Sequence, residues 1–183
     1  AVYDENITID LAVLKPMASC PHSPDNVKNV EELEHIKVDQ VCIGSCTNSS
    51  YRDLMKVAAI LKGKTVHPET SLTISPGSKQ VFTMLARNGA LADLISAGAR
   101  VLECACGPCI GMGQSPKDNA ISVRTFNRNF YARSGTASAG VYLVSPETAA
   151  ASAIAGVFVD PTTLGKAPMV EMPKVFKVND NLI

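Results

Sequence analysis

VDQVCIGSCTNSSYRDLMKVAAILKG, Val38 to Gly63, is the stretch that decides how the rest of the chain is read. Val38, Val41 and Ile43 form a short apolar run ending at Gly44, the pattern of a buried strand. Beyond it Leu54, Val57, Ala58 and Leu61 recur at helical spacing and mark an amphipathic helix. Ser50, with Asp53 three residues on, is a capping signature for its start. Between strand and helix sits Cys46, in the tight segment GSCTNSS (Gly44–Ser50). The positive end of a helix dipole there favours a thiolate.

The same alternation continues. Ser71 to Ile74 predict a second strand, and SKQVFTMLARNG a helix with Val81, Phe82, Leu85 and Ala86 on one face, ended by Gly89. Ala90 to Ala97 predict another helical stretch, closed by Gly98. Arg100 to Leu102 and Ala120 to Arg124 predict two more strands. In SPETAAASAIAGVF, Ser145 caps a helix, Pro146 fits its first turn and Gly156 stops it. Its alanines predict close packing on a sheet. Strands alternating with helices imply right-handed crossovers, hence an α/β fold: a three-layer α/β/α arrangement with a mostly parallel sheet. Ligands of such sheets gather beyond the carboxyl ends of the strands. GSCTNSS and CGPCIG (Cys106–Gly111) both follow strands, so Cys46 is expected to meet the Cys106–Cys109 pair from sixty residues away.

The 183 residues are expected to form one domain over 37–183, preceded by a Pro-rich arm over 1–36 that Pro16, Pro21 and Pro24 break. His22 and Asp25 read as loop residues of that arm. The chain opens on Ala rather than Met, which suggests a piece of a longer polypeptide. Seventeen basic and seventeen acidic residues leave no net charge, so neither nucleic acid nor an anionic membrane is expected as a partner. No stretch approaches the ~20 apolar residues of a membrane span, and no signal-peptide pattern is seen. Six cysteines, several clustered as CxC and CxxC, fit a reducing compartment better than a disulfide framework. The expected location is the cytoplasm, or the mitochondrial matrix in a eukaryote.

Three thiols in glycine-bearing loops suit a metal or an iron–sulfur cluster. Four would close such a site; three leave a position for substrate. A four-cysteine zinc site using Cys42 with Cys46, Cys106 and Cys109 is the competing reading. Strand alternation argues against Cys42, which reads as a small buried residue, as do Cys20 and Cys104. CGPC also fits a thioredoxin-like redox motif, but the Gly-rich IGMGQSP after it does not read as the helix such a motif needs. In TFNRNFYARSG, Arg128 and Arg133 follow no helix-face pattern, and guanidinium groups clamp carboxylates bidentately. Pairing with core carbonyls is the structural alternative. Ser49 and Ser50 read as caps rather than nucleophiles, since no matching His or acid is evident.

Taken in order, GSCTNSS, ECACGPCIG, FNRNFYAR and SPETAAASAIAG resemble the iron–sulfur domain of the aconitase family of hydro-lyases, from about Val38 to Asp160. The resemblance implies that Cys46, Cys106 and Cys109 ligate a 4Fe–4S cluster whose fourth iron is open to a hydroxy-tricarboxylate. It implies that Asn127 lies near the cluster and that Arg128 and Arg133 hold substrate carboxylates. CTNSS and CGPCIG look closer to the aconitate hydratases, which isomerise citrate and isocitrate through cis-aconitate. Homoaconitase or the 3-isopropylmalate isomerase large subunit is the second reading, and a non-catalytic metal-binding or electron-transfer module the third. No catalytic base is evident in the chain. The family carries its base, a serine, on a separate swivelling domain, so the remaining domains or a subunit are expected partners.

Overall fold

In a computed structural model of the chain, residues 1–176, 178, 179 and 181 are described, so the last few positions of the expected 37–183 domain lie partly outside them. Among the described residues there are seven strands and four α-helices. In chain order they are β1 (Met17–Ser19), β2 (Val27–Asn29), β3 (Gln40–Gly44), α1 (Tyr51–Leu61), β4 (Ser71–Ser75), α2 (Lys79–Arg87), α3 (Ala90–Ser96), β5 (Arg100–Val101), β6 (Ile121–Arg124), β7 (Gly140–Leu143) and α4 (Pro146–Ala155). The strands form one sheet in the order β2-β1-β7-β6-β3-β4-β5. From β7 to β5 every pairing is parallel, while β1 runs antiparallel to both β7 and β2. The α/β class and the mostly parallel sheet are those predicted.

Alternation gives the sheet two different faces. Val41, Ile43, Leu72, Ile74 and Val123 join the main core with Leu54, Val57 and Leu61 of α1 and Ala149, Ala150 and Ala153 of α4. The alanines are fully buried, and α4 packs on both α1 and β3. Small side chains let that helix approach closely, as predicted. Ser50 and Ser145 cap α1 and α4, each accepting from a backbone N–H three residues on. Lys56 Nζ on α1 meets Glu147 Oε1 on α4 at 2.7 Å. The other face carries Gln40, Cys42, Thr73, Ser75, Ser122 and Arg124, all buried. Over it lies the segment 102–120, whose regular part is a single 3₁₀ turn, Gly107–Ile110.

Three expectations change. The arm predicted over 1–36 is exposed chain only as far as Lys15. From Met17 the chain adds β1 and β2 to the sheet, and Ala18, Cys20, Val30 and Leu33 are buried there. On α2 the inward face is Val81, Met84 and Leu85, with Ala86 exposed, so the predicted stripe is rotated. The apolar run at β7, for which no strand is predicted, pairs with both β6 and β1. No helix among the described residues is long and apolar enough to cross a membrane.

Gly44 ends β3 with φ 106°, and a Cβ there would run into the Ser75 carbonyl of the neighbouring strand. Gly63, after α1, has φ 70° but open space around it. Gly44→Ala is therefore expected to cost about 3–4 kcal/mol, combining backbone strain with a clash. Gly63→Ala should cost only about 1–2 kcal/mol, from the left-handed conformation alone. Urea unfolding of the two variants checks the contrast.

Candidate metal centre

The first cysteine loop is a strained turn held from both sides. Ser45 (φ 71°) and Asn48 (φ 54°) are both left-handed, which is uncommon for residues other than glycine. Neighbouring strands and loops hold them there. The Gly44 N–H donates to Thr125 Oγ1 at 2.9 Å, and the Asn48 amide to the Thr125 carbonyl at 2.7 Å. The Ser45 N–H donates to the Ser75 carbonyl at 2.8 Å. Between these two residues Cys46 is left exposed.

The second loop brings its thiols from the connection between β5 and β6. Cys106 precedes the Gly107–Ile110 turn, and its Sγ lies 3.8 Å from Cys46 Sγ. Two of the three predicted thiols thus meet across sixty residues of chain. Cys109 is turned inward, packed with Cys42 and Phe126, and its Sγ lies 3.9 Å from Arg133 Nη2. Among the described residues no three His, Cys, Asp or Glu side chains converge on one point as a ready metal site. Cys20 and Cys42 are buried and Cys104 half-buried.

Local contacts split the two meeting thiols. The Thr47 hydroxyl, 3.6 Å away, is the largest influence on Cys46 and holds it below the ordinary thiol value, with Cys106 and Ser45 helping. At Cys106 a contact with Ser45 pulls downward, yet burial and the Cys46 and Cys109 thiols together push it up. Of the two, Cys46 therefore gives up its proton more readily than Cys106.

The donor set fits an iron–sulfur group. Its members are soft thiols, the ligands that select clusters or zinc over hard cations. Arg133 Nε, on the guanidinium that reaches Cys109, is buried without a hydrogen-bond partner. A donor left unsatisfied next to a thiol suits a bound anionic group.

The segment after β6 divides its labour. Asn129 is buried, and its amide donates to the carbonyls of Ser19, Cys20 and Ser23 at 3.3, 2.7 and 3.3 Å. That fixes the loop and leaves Asn127 and Arg128 exposed, with Arg128 Nη1 3.4 Å from Asn127 Oδ1. His22 packs edge-on against Tyr131 at 5.3 Å between ring centroids. Pairing with core carbonyls, the alternative weighed for Arg128 and Arg133, is instead what Asn129 and Arg124 do. Arg124, Thr125 and Asn129 went unnoticed in the sequence. For Arg124 a signal existed: a charged residue closing an apolar strand.

A family model described as the aconitase family (aconitate hydratase) matches residues 26–156. The chain is 43% identical over 168 residues to the 3-isopropylmalate dehydratase large subunit of Moorella thermoacetica, covering 91% of this chain and 40% of that one. It is 45% identical over 163 residues to the protein of the same name from Clostridium botulinum, covering 88% and 39%. The figures are the same for 3-isopropylmalate dehydratase large subunit 1 of Methanopyrus kandleri. The chain spans about two fifths of the length of these curated relatives.

The Thr125 clasp yields a direct expectation. Thr125→Val leaves the Gly44 N–H buried without its acceptor, at a cost of about 1–3 kcal/mol. Thr125→Ser keeps the hydroxyl and should stay close to wild type. Amide hydrogen exchange at residues 44–49 should quicken in the first variant and not in the second.

Proposed function

The chain belongs to the aconitase family, and from that premise we propose that it is the cluster-bearing part of a hydro-lyase acting on 3-isopropylmalate. The observation that carries the reading is the contact of Cys46 with Cys106, brought together from two distant loops. Cys46, Cys106 and Cys109 would hold a 4Fe–4S cluster, with Cys106 moving off Cys46 to make room. When bound, such a cluster supplies an open iron, a Lewis acid toward a substrate hydroxyl and carboxylate.

The remaining work falls to side chains of this chain and of its partners. Arg128 is exposed and free of any acid among the described residues, so its guanidinium is available for a substrate carboxylate. Arg133 stands against Cys109 and would bind a second carboxylate next to the cluster. Asn127, beside Arg128, would donate or accept at the substrate's polar end. The proton on the neighbouring carbon needs a base, which we assign to a further domain or subunit.

The substrate assignment departs from the one drawn from sequence. CTNSS and CGPCIG pointed toward citrate, but the three relatives described above are named for 3-isopropylmalate. The motifs build the strained turn, the helix cap and the thiol loop. Every substrate of the family needs those equally, so they carry little information about which acid is bound.

Two measurements test the proposal. Cys46→Ser, Cys106→Ser and Cys109→Ser should each lose iron and sulfide after anaerobic reconstitution, because each removes one soft ligand from a site with only three. Cys20→Ala, Cys42→Ala and Cys104→Ala should keep both, losing at most about 1–2 kcal/mol of stability. Iron retained by Cys46→Ser but lost by Cys42→Ala contradicts the ligand set. Full-length protein with its partner subunit should turn over 3-isopropylmalate in preference to citrate; the reverse preference contradicts the substrate assignment.

A further inference from the structure

We infer that Arg124 is a positioning residue for the cluster: a buried cation that pins the Cys106–Cys109 turn to the sheet and supplies counter-charge beneath it. This rests on the cluster reading above. Arg124 closes β6 and is 0% exposed, the largest side chain buried to that degree. Its Nε donates to Ser122 Oγ at 2.9 Å, its Nη2 to Gln40 Oε1 at 2.9 Å and its Nη1 to the Pro108 carbonyl at 2.5 Å. Its guanidinium carbon lies 5.5 Å from the centre of the Phe126 ring. Every one of these partners is neutral, and among the described residues no carboxylate pairs with it.

A buried charge is strongly unfavourable unless an anion accompanies it. Two sulfurs stand on this face beside the ring that the guanidinium covers. Cys109 and Cys42 pack together with Phe126, the residue whose ring faces the guanidinium. Thiolates around an iron–sulfur core form an anionic group, which supplies the missing partner. Pro108 lies between the two paired cysteines, so a bond to its carbonyl fixes the turn that presents them.

The same network secures the loop further on. Gln40 accepts from both Arg124 and Ser122, and its own amide donates to the Ser115 carbonyl at 3.3 Å. Pro108 and Ser115 are thus both tied to the polar face of the sheet. A planar guanidinium meets three acceptors at fixed angles; an ammonium would keep the charge but not the fork.

The experiment uses the full-length protein, reconstituted anaerobically, and reads the cluster's reduction potential and the rate at which a chelator strips its iron. Arg124→Gln removes charge and fork. Its potential should move to more negative values and its iron loss quicken by about 10–100-fold, as for other outer-sphere partners of metal ligands. Arg124→Lys keeps the charge, so its potential should stay near wild type while iron loss still quickens. Wild-type potential and loss rate in Arg124→Gln overturn the inference. If that variant does not fold, Arg124→Lys decides alone, and a wild-type loss rate overturns it. Wild-type protein that takes up no cluster overturns the proposed function and this inference together. A cluster that forms normally and ignores Arg124 overturns only the latter.

Discussion

The site depends on how closely the backbone of Gly44 approaches Ser75. No side chain fits between them, and that closeness lets β3 end in a left-handed turn instead of running on. Ser45 and Asn48 could not hold their conformations alone. Thr125 and Ser75 hold them through hydrogen bonds from Gly44, Ser45 and Asn48. Local strain persists where surrounding structure over-determines it, and such places are commonly functional. Here the strain leaves one thiol exposed, within reach of a second.

The sheet's two faces then assign separate tasks. One face is apolar and carries the helices, with α4 brought close by alanine. It stabilises the fold. The other face is mostly polar, and the long segment between β5 and β6 rests on it through Gln40 and Arg124 as well as through the small cluster of Cys109, Cys42 and Phe126. An irregular loop needs partners for its backbone groups when it is buried. A polar face supplies them, so the paired cysteines can sit on a stretch with almost no regular structure.

Much of this was legible in the sequence, where the signals were local. The caps at Ser50 and Ser145, the parallel strands and the alanine helix follow from short-range rules, and they appear where predicted. The meeting of Cys46 and Cys106 was legible too, because strand ends in a parallel sheet share one edge. What escaped depends on distant partners. β1 and β2 are three residues each, too short to show a period, and become strands by pairing β1 with β7 and β2 with β1. The inward turn of Cys109 and the burial of Arg124 depend on the 102–120 segment folding over the polar face.

In the proposed function, thiols from two loops hold a cluster with one iron left open to substrate. Mössbauer spectroscopy of the full-length protein, reconstituted with the Mössbauer-active iron isotope, tests it most directly. One iron should be distinct from the other three, and its signal alone should shift when 3-isopropylmalate is added. Four equivalent irons that ignore the acid, or zinc bound in place of iron, would contradict it.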